Sequence, residues 1–235
     1  MQQGLPGIHP MFPPSHPHRP HIKVCGITRA EDGLLALELG ASFLGIILTT
    51  KSPRRVEPDA ALALVAAIRE QQPEARIFGV FVDEQPAEVA SLVDELRLVL
   101  AQIHSPVSAY LPVLGAARIL PAVAVRSEAE ADTVRQAAAG HPAVLVDSFS
   151  PTQHGGTGRV FDHLLVQPLF DARRIFVAGG LTPANISDVV ERLGHGSLPY
   201  AFDISSGLEE SPGIKSAEKM RAFFAAYGAA MDSRN

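Results

Sequence analysis

One cysteine in 235 residues excludes an intramolecular disulfide and a cysteine-rich zinc or iron–sulfur site. A reducing compartment, the cytoplasm, is the expected setting. Tryptophan is absent, which excludes little. No run approaches the roughly 18 consecutive apolar residues of a membrane helix, so no membrane partner is expected. An excess of positive charge is missing too. The net charge of −5 argues against a general nucleic-acid surface. What remains is 46% hydrophobic and 19% charged, the composition of a globular chain with a sizeable core.

The first twenty residues, "MQQGLPGIHPMFPPSHPHRP", have no apolar core of the kind a secretory signal needs. Proline at this density blocks helix and sheet alike. His16, His18 and His21 offer metal ligands, but nothing around them fixes a geometry. Residues 1–20 are expected to form a flexible arm, and residues 21–235 one folded domain.

From His21 onward, short apolar runs alternate with helical patterns. Strands are expected in "HIKVC", "SFLGIIL", "RIFGVFV", "RLVLAQI", "RILPAVAV", "AVLVD", "RIFVAG" and "YAFDI". Several are apolar at nearly every position, as a parallel strand buried on both faces requires. Helices are expected in "AEDGLLALELG", with Leu34, Leu37 and Leu39 near one face, and in "PDAALALVAAIREQ", "PAEVASLVDEL", "SEAEADTVRQAAAG", "TPANISDVVERLG" and "SAEKMRAFFAAYG". "PVSAYLPVLGAA" is interrupted by Pro112, and "FDHLLVQPLF" is short. Eight strand–helix units predict a single α/β domain, a (β/α)8 TIM barrel. A doubly wound open sheet is the alternative, but it gives no reason for eight units.

In such barrels the site forms at the carboxyl ends of the strands. Cys25, His104, Asp147 and Asp203 stand at or near the ends of strands 1, 4, 6 and 8. Each has a blander reading. A lone cysteine is often a small buried hydrophobe, and an aspartate at a strand end also caps the next helix. Small-residue clusters follow strands 7 and 8, where barrels commonly bind phosphate. Gly179, Gly180, Ser205, Ser206 and Gly207 are the candidates, with backbone amides as donors. "HGGTG", at residues 154–158, lies in a long loop after strand 6, and Gly155, Gly156 and Gly158 would hinge a lid there. A basic loop, Lys51 to Arg55, follows strand 2. Arginine there can hold a carboxylate through two parallel hydrogen bonds.

The segments "KVCGITRAEDG", "KSPRRV", "FGVFVD", "AQIH", "VDSFSPTQHGGTGRVFD", "VAGGLTPANI" and "FDISSGLEESPG" occur in order. Together they resemble the phosphoribosylanthranilate isomerase family over about residues 22–220. The resemblance implies a cofactor-free (β/α)8 barrel with no metal. It implies a small phosphoribosyl substrate, isomerised by an Amadori rearrangement in tryptophan biosynthesis. By the same resemblance Cys25 is the general base and Asp147 the general acid. Arg54 would hold the anthranilate carboxylate. Asp203, His104 and Gly156 would line the substrate, and the clusters after strands 7 and 8 would hold its phosphate.

Departures from the family pattern lie in the second to fifth units: Thr49 and Thr50, Arg55, Ser105 and Pro121. They bear on fine substrate preference and remove no catalytic group. Two other functions compete. A catalytically degenerate phosphosugar-binding barrel would need neither Cys25 nor Asp147. An isomerase of another aminated phosphosugar would leave Arg54 without its carboxylate. The sequence does not give the oligomeric state.

Overall fold

The computed structural model describes residues 11–14, 19–125, 128–147, 166–170, 174–194 and 196–234. Among these, eight parallel strands close into a barrel in chain order. They are β1 (His21–Cys25), β2 (Phe43–Ile47), β3 (Ile77–Phe81), β4 (Ala101–Ile103), β5 (Ile119–Ala124), β6 (Val144–Asp147), β7 (Ile175–Val177) and β8 (Ala201–Ile204). β1 pairs with both β2 and β8, which leaves no sheet edge. The helices are α1 (Ala30–Glu38), α2 (Pro58–Gln71), α3 (Pro86–Glu95), α4 (Leu111–Leu114), α5 (Glu128–Gly140), α6 (Ile186–Arg192) and α7 (Ala217–Asp232). A small antiparallel hairpin, β9 (Glu209–Ser211) and β10 (Ile214–Lys215), follows β8. This is the (β/α)8 barrel that the alternation predicts.

The strands need apolar residues on both faces because one face meets the helices and the other fills the lumen. β1 and β3 are buried at every position. Phe43, Phe78 and Phe176 pack together inside the lumen, with ring centroids 5.2 to 5.8 Å apart. That aromatic layer makes the barrel a packed core and leaves only its upper end for polar groups.

Three expectations need adjustment. α1 turns Asp32, Gly33 and Ala36 to the barrel, while Leu34, Leu35 and Leu37 are only half-buried. The small residues let the helix sit close to Ile68 and Leu44. Asp32 is buried because it accepts from Arg29 Nε and Nη2 and from the Lys215 amide. "PVSAYLPVLGAA" becomes a one-turn α4 between two 3₁₀ turns, with Gly115 at φ 68° ending it. Of "FDHLLVQPLF" only residues 166–170 are described, as a single 3₁₀ turn at Gln167–Leu169.

The arm at residues 1–20 is described at 11–14 and 19–20. Phe12 lies against the lower end of the lumen, its ring centroid 5.7 Å from Tyr200 and 6.4 Å from both Phe43 and Phe176. Tyr200 donates to the Pro13 carbonyl at 2.8 Å, and His21 Nε2 lies 3.1 Å from the Pro14 carbonyl. Arg174 stacks its guanidinium over Phe12 at 4.9 Å.

Candidate active site

Alternation along β1 turns Lys23 and Cys25 to the same face, two residues apart. Both are buried, Lys23 completely and Cys25 at 5% exposure. Lys23 Nζ donates to Asp203 Oδ2 at 2.9 Å, joining β1 to β8 across the seam where the barrel closes. Its ammonium also lies 5.9 Å from the centre of the Phe78 ring. Asp203 Oδ1 is buried and has no partner among the described residues. Gly45 of β2 stands opposite Cys25 in the register. A β-carbon at Gly45 would come within 2.7 Å of the thiol sulfur and 3.1 Å of Lys23 Nζ. The thiol and the ammonium therefore border one niche, which exists because position 45 carries no side chain.

Burial pushes the Cys25 thiol above its ordinary pKa, and Asp203 adds to this, while Lys23 and Lys215 pull it back. Burial alone would lower the Lys23 pKa, but Asp203 and Cys25 outweigh it, so the pKa is raised and the ammonium keeps its charge. The resting site thus holds a thiol beside a cation.

Asp147 ends β6, half-buried, with its backbone carbonyl accepting from Val125 at 3.0 Å. His104 follows β4 and turns its ring toward Gln102, whose Nε2 lies 2.7 Å from His104 Nε2. Crowding in the throat and the Lys23 charge push the His104 pKa down, so the ring is neutral at pH 7. By surface area the residue is nonetheless exposed, standing at the end of β4 with protein packed around its ring. Gln102 itself is buried, and its Oε1 has no partner among the described residues.

Arg54 does not stand free. Its Nε and Nη2 donate to the two Glu209 oxygens at 2.8 Å each. Glu209 also accepts from Lys215 Nζ at 3.0 Å. This triad ties the loop after β2 to the hairpin after β8. Burial opposes the Glu209 charge, but Arg54 and Lys215 win, and its carboxyl is held below the usual range. The Arg54 pKa is raised by its bonds to Glu209. The side-chain hydrogen bonds of Arg54 among the described residues use Nε and Nη2, and none uses Nη1.

The two small-residue clusters meet. A β-carbon at Gly207 would lie 2.0 Å from the Leu181 carbonyl, so the loops after β7 and β8 touch there and only glycine allows it. Gly179 and Gly180 turn at φ 104° and 68°. Asn185 shapes that loop, accepting from the Thr182 amide and donating to the Gly180 carbonyl, both at 2.8 Å. Ser205 and Ser206 enter a 3₁₀ turn beside them, and the Ser205 carbonyl accepts from Lys215 at 3.1 Å. Gly156 and the rest of "HGGTG" lie outside the described residues.

Sequence reasoning passed over Lys23, Gln102, Glu209 and Lys215. A signal for Lys23 was present: a lysine inside an apolar strand, spaced to share a face with the cysteine. Glu209 and Lys215 gave none, because their role depends on how the hairpin folds back over β1.

A closed eight-stranded barrel whose ionisable groups gather where its strands end belongs with the (β/α)8-barrel enzymes. Known proteins narrow this. The family model described as N-(5'phosphoribosyl)anthranilate (PRA) isomerase matches residues 22–226. The N-(5'-phosphoribosyl)anthranilate isomerase of Geobacter sp. (strain M21) is 39% identical over 204 residues, covering 87% of this chain and 96% of that one. The solved phosphoribosyl anthranilate isomerase of Thermus thermophilus superposes with a TM-score of 0.73 at 37% identity, over 89% of this chain and 98% of that chain. A second solved isomerase, in complex with reduced 1-(o-carboxyphenylamino)-1-deoxyribulose 5-phosphate, gives a TM-score of 0.74 at 27% identity, over 89% and 99%. The chain belongs to the phosphoribosylanthranilate isomerase family.

Proposed function

We propose that the protein converts N-(5-phosphoribosyl)anthranilate to 1-(2-carboxyphenylamino)-1-deoxyribulose 5-phosphate, a step of tryptophan biosynthesis in a reducing cytoplasm. The observation that carries this reading is the presence, in a chain of this family, of a thiol and a carboxyl group at the ends of β1 and β6. Asp147 gives a proton to the ribose ring oxygen as the C1–O bond breaks. The anthranilate nitrogen becomes an iminium, which acidifies the hydrogen on C2. Cys25, as thiolate, removes that proton, and the C–H electron pair flows to the nitrogen. The resulting enol relaxes to the ketone.

The Nη1 side of Arg54 takes the anthranilate carboxylate, with Glu209 gripping the opposite edge so that the planar fork cannot turn away. The amides of Gly179, Gly180 and Ser205 to Gly207 take the phosphate. Asp203 and His104 face the sugar. The alternatives of a bare sugar-binding barrel or another aminated substrate lack a specific observation in their favour.

The test is the fluorescence decay of freshly made phosphoribosylanthranilate with and without protein. Cys25→Ala and Asp147→Asn should each lower kcat by about 10²–10⁴-fold, the usual worth of a positioned proton-transfer group, and change KM less. Near-native kcat in Cys25→Ala would reduce the thiol to packing.

A further inference from the structure

Lys23 has no place in the scheme above, yet it is a charged side chain with no exposure to solvent. Its ammonium is fully buried above a layer of phenylalanines. Burying an ion costs several kcal/mol, and an ion pair seldom repays this better than apolar side chains of the same size would. Asp203 offsets part of the cost through one hydrogen bond at 2.9 Å. An ammonium has three N–H donors. Cys25 Sγ and this nitrogen both border the niche at Gly45, 2.7 and 3.1 Å from where a β-carbon would stand.

We infer that Lys23 is a positioning residue for the base: its ammonium, shared between Asp203 and Cys25, holds the thiolate in place for attack on the C2 hydrogen. This rests on the proposed role of Cys25. The arrangement works as a balance. Asp203 anchors the ammonium in the lumen and at the same time opposes the thiolate. Removing Asp203 leaves more of the Lys23 charge for sulfur. Removing Lys23 leaves sulfur facing a carboxylate in an apolar throat. Other groups act on the same sulfur in smaller measure: Lys215 from β10 and Arg54 from the loop after β2, both partly neutralised by Glu209. His104 on the β4 side is neutral and adds no charge.

Cys25 is the only cysteine, so its ionisation can be followed without substrate by the ultraviolet absorbance of the thiolate, with Cys25→Ser as the blank. Lys23→Met should raise the midpoint by about one pH unit or more, a tenfold loss of thiolate at a given pH. Asp203→Asn should lower it. The acid limb of kcat/KM should move the same way in each variant. A purely structural ion pair would lower Tm in both variants and leave both midpoints in place, and that result overturns the inference. If Lys23→Met fails to fold, the double variant Lys23→Met/Asp203→Asn, which removes both buried charges, takes its place: its midpoint should lie above that of Asp203→Asn, and equal midpoints overturn the inference. The titration needs no isomerase activity. A native protein inactive on phosphoribosylanthranilate would therefore reject the substrate reading and leave this result standing.

Discussion

At the scale of the residue, the site depends on one missing side chain. Gly45 follows a leucine and precedes two isoleucines in β2, and in the sequence it reads as a weak point in a strand. In the barrel it is the gap that Cys25 Sγ and Lys23 Nζ border. Gly45→Ala should push the sulfur aside. A misplacement of about 1 Å at a reacting atom costs about a hundredfold in kcat. Product affinity, for which we propose Arg54 and the loops after β7 and β8, should change far less. Product titration alongside steady-state kinetics would separate the two, and equal losses would mean general damage to the barrel. The placement of Cys25, Asp147 and Asp203 in the last two positions of their strands was legible because strand ends were legible. The pairing of Lys23 with Asp203 was not, because β1 is buried on both faces and its pattern does not say which residues point into the lumen.

At the scale of the element, α2 was legible residue for residue, with Pro58 at its first turn and an apolar face of Ala61, Leu64, Val65 and Ile68. The face of α1 was misjudged because periodicity weighs leucines, whereas this helix packs closely through Gly33 and Ala36. β5 keeps Pro121 in register with Ile103 although proline cannot donate to a ladder. The hairpin β9–β10 had no periodic signature at all. It brings Glu209 to Arg54, sets Gly213 against Thr28, which donates to its carbonyl, and aligns Lys215 with Asp32. Breaking a buried pair strands its partners. Glu209→Gln should cost about 3 kcal/mol, the low end of that range, because Arg54 keeps partial access to solvent. The pH dependence follows from the lowered Glu209 pKa. Its stabilisation is complete above the ordinary carboxylate range and is lost as pH falls through the lowered folded value. Tm measured against pH should therefore fall more steeply in acid for the native protein than for Glu209→Gln. Parallel curves would show that Glu209 contributes nothing through its charge.

At the scale of the whole molecule, the two ends of the barrel divide the labour. The upper end carries the ionisable groups, and the lower end is shut by Phe12 beneath Tyr200, Phe43 and Phe176. Proline density pointed to a flexible arm, and no periodic pattern announces the contact that Phe12 makes. We propose that the arm supports stability and not chemistry. Deleting residues 1–18 should leave kcat and KM unchanged and lower Tm by about 2–4 °C for each kcal/mol of lost packing, as expected for a chain of this size. An unchanged Tm would mean that the arm adds nothing, and a lost activity would place it in the site. The pair that joins β1 to β8 has one more consequence. Lys23 and Asp203 are 180 positions apart, and Arg54 and Glu209 are 155 apart. Loop closure over such distances comes late in folding. On the ribosome, the amino-terminal half emerges with its thiol, its lysine and its arginine and waits for partners that are synthesised almost last. Each new chain therefore gains its chemistry all at once, near the moment of release, and a chain that stops short of β8 is an open barrel whose β1 and β7 keep unpaired edges.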